Sequence, residues 1–277
     1  MNKINNQYKQ HAVNQWTENP IGSESTKYSE GTKEFFDEIV KNRYEVYAPW
    51  MKETFKFEQY KGKKVLEIGV GTGSDHLQFA KAGAILTGID ITPKSIELTK
   101  KNLELHGYHS NLLVADAENL PFEDNTFDIV YSFGVLHHIP DTQKTIDEIY
   151  RALSPGGKAV IALYHKYSLF WIFVILYEMI LRGGFLRKTI KQRLSEIEMG
   201  GKETKPLVKL YTGRSAKVLF RKFNKIKIHT RHIGIGLSGR LINKILQTKV
   251  MNNFLELLSL KFGWYLIIEA EKWKTTF

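Results

Sequence analysis

The sequence predicts an α/β protein built on a doubly wound, parallel sheet. Three observations carry that expectation. Apolar strand-like runs alternate with amphipathic helical stretches from residue 63 to 164, with short loops between them. The runs Val65–Ile68 and Phe127–Ser132 are apolar throughout, as strands covered on both faces are. The first run leads into alternate glycines, Gly69, Gly71 and Gly73, and then into a helix start at Ser74. Glycines at that junction let a ligand lie against bare backbone.

Residues 1–31 are rich in Asn, Gln, Ser and Gly and read as an arm or short helix followed by a loop. Thr32 to Trp50 has helical spacing (Phe35, Phe36, Ile39, Val40, Tyr44, Tyr47), and Pro49 ends or kinks it. The aromatic face packs on the main domain or forms a lid over a ligand. Val65–Ile68 is strand one and Ser74–Ala82 a helix. Ala84–Ile89 is strand two, closed by Asp90, and Pro93–His106 a helix with proline in its first turn. Asn111–Val114 is strand three, ending at Asp116. Phe127–Ser132 is strand four and Asp141–Leu153 an amphipathic helix. Ser154-Pro155-Gly156-Gly157 is a turn before strand five, Lys158–Leu163.

After Tyr164 the alternation breaks. An apolar helix is expected over Ser168–Leu181, a basic one over Phe185–Met199, and a loop over 200–213. Then come a helix, Arg214–Phe223, and a strand, Lys225–Thr230. Ile233–Gly239 is glycine-rich, Leu241–Leu260 has helical spacing, and Gly263–Ala270 is a final strand. The chain divides into an N-terminal arm and lid helix (1–60), a ligand-binding core (61–164), and a helical cap with the last two strands (165–277).

The 277 residues suffice for a sizeable core, and 43% hydrophobic with 25% charged residues is a globular balance. There is no cysteine, so disulfides, thiolate metal sites and a cysteine nucleophile are excluded, and no metal ligand set is expected. The absence of cysteine suggests a cytosolic setting, and the polar N-terminus, Met1 to Asn19, has no signal-peptide apolar region. The longest apolar run, Leu169 to Leu181, falls short of the ~20 residues a spanning helix needs. The net charge of +11 is uneven: Arg182 to Lys249 holds 18 Lys/Arg against three acids, leaving the rest of the chain net negative. That asymmetry points to an anionic partner.

The glycine pattern does not fit a dinucleotide fingerprint, since position 74, where the third glycine is required, is Ser. Glu67, two residues before Gly69, is awkward beside a pyrophosphate and suits a positively charged ligand. Asp90 stands at the end of strand two, where a carboxylate accepts from both ribose hydroxyls. Asp116, after strand three, can accept from an exocyclic amine. The ligand implied is an adenosine with a cationic, phosphate-free tail.

The run Val65-Leu66-Glu67-Ile68-Gly69-Val70-Gly71-Thr72-Gly73 resembles motif I of the class I S-adenosylmethionine-dependent methyltransferases. The likeness continues in order through Gly88-Ile89-Asp90, Ala115 to Phe122, Phe127-Asp128-Ile129-Val130, Val135-Leu136-His137-His138 and Leu153 to Gly157. Together these are similar to the ubiquinone and menaquinone biosynthesis branch, over roughly residues 60–165. The resemblance implies a Rossmann-like, seven-stranded sheet with an antiparallel last strand, Gly263–Ala270, beside Lys225–Thr230. It implies S-adenosyl-L-methionine as cofactor and S-adenosyl-L-homocysteine as product. Gly69, Gly71 and Gly73 would pass the methionine part and Glu67 would orient its amino end. Asp90 would hold the ribose and Ile91 would pack on adenine, with Asp116 and Ala117 at the adenine edge. Ser132 and Phe133 would lie where substrate and sulfonium meet. His137 and Tyr44 are the candidate catalytic residues, although histidines at the first position often serve structure.

Methyl transfer from a sulfonium is an in-line displacement with a good leaving group, so alignment and water exclusion can supply much of the acceleration. The acceptor is expected to be small and lipophilic or aromatic, methylated at O, C or N. Cytosine C5 is excluded without a cysteine, and Ser132-Phe133-Gly134-Val135 is not the Asn/Asp-Pro-Pro-aromatic motif of base-amine methylation. The unbroken Leu169–Leu176 beside Arg182, Arg187, Lys188, Lys191 and Arg193 suits a buried cap, a homodimer contact, or a peripheral site on an anionic membrane. An RNA-directed methyltransferase and a non-catalytic cofactor-binding protein are the alternatives.

Overall fold

The computed structural model describes residues 3–176, 207–233 and 249–274. The expected basic helix over 185–199 and most of the glycine-rich stretch lie outside them, as do parts of the helices expected over 168–181 and 241–260.

The chain begins with helix α1 (Lys3–Glu18), where an arm or short helix was expected, and α2 (Lys33–Lys41). Thr32 caps α2, its hydroxyl accepting from the Phe35 amide at 3.3 Å, worth about 1 kcal/mol. The helix expected to run on to Trp50 instead opens into a π-helical turn over Asn42–Tyr47, and α3 (Met51–Phe55) follows. Such a turn inserts one extra residue and redirects the side chains after it.

The core then runs β1 (Lys64–Ile68), α4 (Ser74–Lys81), β2 (Ile85–Asp90), α5 (Pro93–Leu105), β3 (Asn111–Val114), β4 (Phe127–Phe133), α6 (Thr142–Ala152) and β5 (Leu153–Tyr164). Thr92 caps α5, with Pro93 in the first turn, as the sequence predicts. The expected turn at Ser154–Gly157 is absorbed into β5: Leu153 pairs with Phe127, and the register slips before Ile129. Beyond β5 come α7 (Leu169–Leu176), α8 (Gly213–Leu219), β6 (Asn224–Arg231), α9 (Lys249–Phe262) and β7 (Tyr265–Glu271).

The strands form one seven-stranded sheet in the order β3-β2-β1-β4-β5-β7-β6. Strands β1 to β5 are parallel, and β7 runs antiparallel between β5 and β6. The expected antiparallel last strand is present. Alternation sends Val65, Ile129 and Tyr131 to one face, with α4 and the 44–60 segment, and Leu66 and Val130 to the other, with α6 and α8. Strand order reverses between β1 and β4, so their carboxyl ends open a crevice where ligands of such sheets bind.

Candidate active site

A cavity of about 800 Å³ occupies that crevice. Its floor is the β1–α4 loop. Gly69 has φ +81°, and a Cβ there would stand 2.2 Å from Val135 Cγ2, so no other residue fits. A Cβ at Gly71 would find its nearest neighbour, Ile21 Cβ, 3.9 Å away, which leaves the backbone open to a ligand.

Three of the carboxylates that line the cavity sit at the strand ends: Glu67 from β1, Asp90 from β2 and Asp116 after β3. Asp90 Oδ1 faces the Thr92 amide and hydroxyl, both at 2.9 Å, while Oδ2 accepts from the Gly71 amide at 3.2 Å. Burial raises its pKa, against the hydrogen bonds from Thr92 and Gly71. Asp116 Oδ1 accepts from the Glu118 amide at 2.9 Å and Oδ2 from Lys9 Nζ at 2.6 Å. Lys9 also reaches Glu118 Oε2 at 2.6 Å, so α1 is pinned over the cavity mouth. Trp16 and Ile21 continue that wall, and the Thr72 hydroxyl donates to the Ile21 carbonyl at 3.2 Å.

Glu67 is buried, and its Oε2 lies 2.8 Å from His76 Nδ1. Burial raises Glu67 well above the usual carboxylate range, reinforced by Asp75 and Asp90 and opposed by Arg43. Burial also lowers His76 to about 3. The contact has ion-pair geometry, but both shifts favour a neutral pair sharing one proton.

Beside it, Asp75 collects four donors: Arg43 Nε at 2.6 Å, Arg43 Nη2 at 2.5 Å, Tyr44 OH at 2.6 Å and Tyr131 OH at 2.8 Å. The π-helical turn brings the consecutive residues Arg43 and Tyr44 onto one carboxylate. Arg43 also lies over the Phe133 ring, 4.8 Å from its centroid.

The opposite end of the cavity is aromatic. Phe133 and Tyr265 lie 4.6 Å apart, and Tyr164 stacks on Trp264 at 5.5 Å. Tyr47 and Tyr265 share a 2.6 Å hydroxyl–hydroxyl hydrogen bond. Trp171, from α7, is fully buried behind Tyr164, 5.8 Å away, and Phe170 stacks on Trp264 at 4.1 Å. The start of the expected greasy helix thus packs into the protein, although Ile172 is exposed. No helix among the described residues is long and apolar enough to cross a membrane.

Of the residues singled out from sequence, Glu67, Gly69, Gly71, Asp90, Ile91, Asp116, Ala117 and Phe133 line one cavity. Gly73, Ser132, His137 and Tyr44 do not. Gly73 is the αL N-cap of α4, facing Thr99. Ser132 is buried and donates to the Ile68 carbonyl at 2.8 Å, tying β4 to β1. Tyr44 is buried on Asp75, and burial next to that carboxylate pushes its pKa well up, so it is a poor base. His137 is fully buried and stacks on Tyr164 at 3.6 Å, with neither ring nitrogen hydrogen-bonded. Burial drives its pKa far down. Its neighbour His138 lines the cavity instead, with Nδ1 2.7 Å from the Leu207 carbonyl, which assigns the Nδ1–H tautomer. Sequence reasoning also missed Lys9, Trp16, Arg43 and Trp264. Only their fold neighbours identify them.

The class this architecture defines is carried by comparison as well as geometry. Residues 66–161 match the model of a family described as a methyltransferase domain. Over 108 residues it is 37% identical to a sterol 4-C-methyltransferase of Caenorhabditis elegans, covering 38% of this chain and 32% of that protein. Over 114 residues it is 38% identical to a demethylmenaquinone methyltransferase of Streptomyces avermitilis, covering 40% of this chain and 47% of the relative. The matched stretch therefore spans a third to a half of these relatives' length. A similar solved structure is phosphoethanolamine N-methyltransferase 2 of Haemonchus contortus, in complex with phosphomonomethylethanolamine and S-adenosylhomocysteine. Its identity is 18%, its TM-score 0.55, and the match covers 81% of this chain and 53% of that one; it shares the fold.

Proposed function

We propose that the chain is an S-adenosylmethionine-dependent methyltransferase acting on a small, lipophilic or aromatic acceptor. One observation carries this reading: a single cavity has three carboxylates on its strand-end wall and aromatic rings at its other end. The acidic wall fits the cofactor. Asp90 lines the cavity and its Oδ2 meets the Gly71 amide at 3.2 Å, which places a carboxylate where ribose hydroxyls can donate to it. Ile91 and Ala117 supply apolar faces for adenine, and Asp116 an acceptor for its amine. Glu67 faces the cationic methionine end. S-adenosylmethionine, when bound, supplies an activated methyl group on a sulfonium.

The chain's own contribution is alignment and exclusion of water. Phe133, Tyr164, Trp264 and Tyr265 give the acceptor a flat, dry seat, and their π faces attract positive charge. Among the described residues His138 is the histidine that lines the cavity, and it stands there as the candidate proton acceptor for a hydroxyl substrate. The pinned α1 makes the N-terminal segment the lid. The C. elegans and S. avermitilis relatives are named for sterol and quinone chemistry, which agrees with a greasy, ring-containing acceptor. The test is calorimetric binding of S-adenosylhomocysteine, followed by radiolabelled methyl transfer to hydroquinones, phenols and sterols. Methyl incorporation into RNA but none of these would replace the acceptor assignment, and absence of cofactor binding would sink the whole reading.

A further inference from the structure

Glu67 stands at one end of a buried hydrogen-bonded chain that the methyl-transfer geometry leaves unused. Its Oε2 is 2.8 Å from His76 Nδ1; His76 Nε2 is 2.8 Å from Ser110 Oγ; and Ser110 Oγ is 3.0 Å from the Leu86 carbonyl oxygen. His76 is fully buried, while Ser110 is only half-buried, at the entry to β3. The chain thus runs from the cavity, beneath α4, toward the protein exterior. Its passage depends on Gly88 of β2. A Cβ at that position would stand 2.9 Å from His76 Cε1, 2.6 Å from Val70 Cγ1 and 2.8 Å from Leu112 Cδ2. The missing side chain is the slot that the imidazole occupies.

With the Ser110 hydroxyl turned to the Leu86 carbonyl, counting donors assigns the protons. The Leu86 carbonyl can only accept, so the Ser110 hydroxyl donates to it. His76 Nε2 then donates to Ser110 Oγ, Nδ1 is left as an acceptor, and Glu67 must supply the proton between them. The surroundings agree. Asp75 and its neighbour His76 face Glu67 from α4, Asp90 from β2, Tyr131 from β4, and Arg43 and Tyr44 from the π-helical turn. The one cation among these, Arg43, is bound through two nitrogens to Asp75. A second bare carboxylate there would be buried among anions, and burial pushes Glu67 toward its protonated form.

We propose that Glu67, His76 and Ser110 form a proton relay that couples binding of the cofactor's cationic methionine end to release of one proton. This rests on the cofactor reading above. As the cation approaches, the Glu67 proton passes to His76 Nδ1, and the Nε2 proton leaves through Ser110 to solvent. The imidazole changes tautomer but stays neutral: Nδ1–H now donates to the Glu67 carboxylate, and Ser110 turns its hydroxyl from Leu86 to Nε2. One proton leaves as the ligand's α-ammonium, which S-adenosylmethionine and S-adenosylhomocysteine share, arrives beside Glu67, so the charge at that carboxyl is balanced locally. His76 is a positioning residue in this scheme; it touches Glu67 rather than the ligand.

The experiment is isothermal titration of S-adenosylhomocysteine between pH 5 and 7, in buffers of different ionisation enthalpy, where the ligand's own amine (pKa about 8) stays protonated. The wild-type protein is expected to release close to one proton per ligand within that window, with affinity rising about tenfold per pH unit there. His76→Asn has no second ring nitrogen to pass a proton on to Ser110, so it should cut the release to near zero with a flat pH profile. In ¹⁵N spectra of the wild type, His76 should pass from the Nε2–H to the Nδ1–H tautomer on binding. Tight binding without proton release, or the same release from His76→Asn, would overturn the relay and leave the cofactor assignment standing. No binding at any pH would instead refute the cofactor assignment.

Discussion

Replacing Asp75 by leucine should be the most damaging single change near the cavity that touches no ligand. The buried carboxylate accepts from two Arg43 nitrogens, Tyr44 and Tyr131 at 2.5 to 2.8 Å. Its loss strands a guanidinium that is only 16% exposed, together with two buried hydroxyls. Breaking a buried ion pair from one side costs about 3–5 kcal/mol, and each stranded hydroxyl on the order of 1 kcal/mol more. The expected loss is therefore about 5–7 kcal/mol, a large share of the roughly 5–15 kcal/mol that holds a domain folded. Urea unfolding at pH 7, followed by tryptophan fluorescence, measures it. The double variant Asp75→Leu/Arg43→Met should recover about 2 kcal/mol or more over the sum of the singles, because an apolar pair leaves no charge unpaired. Acid supplies the second arm. Burial raises the Asp75 pKa, but the Arg43 charge and the bonds from Arg43, Tyr44 and Tyr131 outweigh it, and the net shift is downward. A depressed carboxylate contributes stability above its unfolded value near 4 and loses it as pH falls through the folded value. The gap between wild type and Asp75→Leu should then narrow below pH 4. A single-variant loss under 1 kcal/mol, or strict additivity in the double variant, would refute the hub.

Four further outcomes are expected. Asp90→Ala should weaken S-adenosylhomocysteine binding by about 10²-fold or more, since hydrogen bonds to a charged acceptor contribute about 1.5–3 kcal/mol each; calorimetry decides, and unchanged affinity would move the ribose elsewhere. His137→Phe should hold kcat within about twofold and keep the stack on Tyr164, whereas His138→Ala should cost about 10²-fold with a hydroxyl acceptor. Equal losses from both would mean that burial misassigns the pair. Lys9→Met removes one cation from Asp116 and Glu118, so it should cost on the order of 1–3 kcal/mol and expose α1 to protease; protection equal to wild type would contradict the pinned lid. The ligand-free protein should lose stability as pH rises above 6.5. Glu67, raised in the folded state, binds its proton more tightly there than in the unfolded chain, while the compensating effect of His76, lowered to about 3, operates only below 6.5. A melting temperature that climbs with pH above 6.5 would count against a protonated Glu67.

What could be read from sequence was whatever is local to a strand and its carboxyl end. Val65–Ile68 and Phe127–Ser132 are apolar because both faces are covered, and Glu67, Asp90 and Asp116 end up on one wall because consecutive parallel strands end on one side of the sheet. What could not be read depends on partners far along the chain. Asp75 looks like an ordinary first-turn helix acid until Arg43, 32 residues earlier, meets it. The break of the 32–50 helix has the same origin, since an uninterrupted helix follows from spacing alone and a π-helical turn from the demands of that carboxylate. His137 and His138 show the limit of a motif. Their spacing to the other matches is nearly identical, yet the short turn over Leu136–His138 buries one ring against Tyr164 and sends the other to the cavity.

The distribution of charge across the cavity also constrains catalysis under the methyl-transfer reading. An acidic wall holds a sulfonium more tightly than the neutral thioether left after reaction. By itself that stabilises the ground state and opposes the chemical step, although it helps the product leave. Acceleration must therefore come from groups whose attraction grows as charge moves off the sulfur, and these can only lie toward the acceptor. Phe133 and Tyr265, 4.6 Å apart at the aromatic end, are placed for that. A Glu67 that is neutral until the cofactor arrives fits the same requirement. It limits the fixed negative charge on the cofactor side to what the bound cation calls out, and leaves the aromatic side to favour the transferring methyl group.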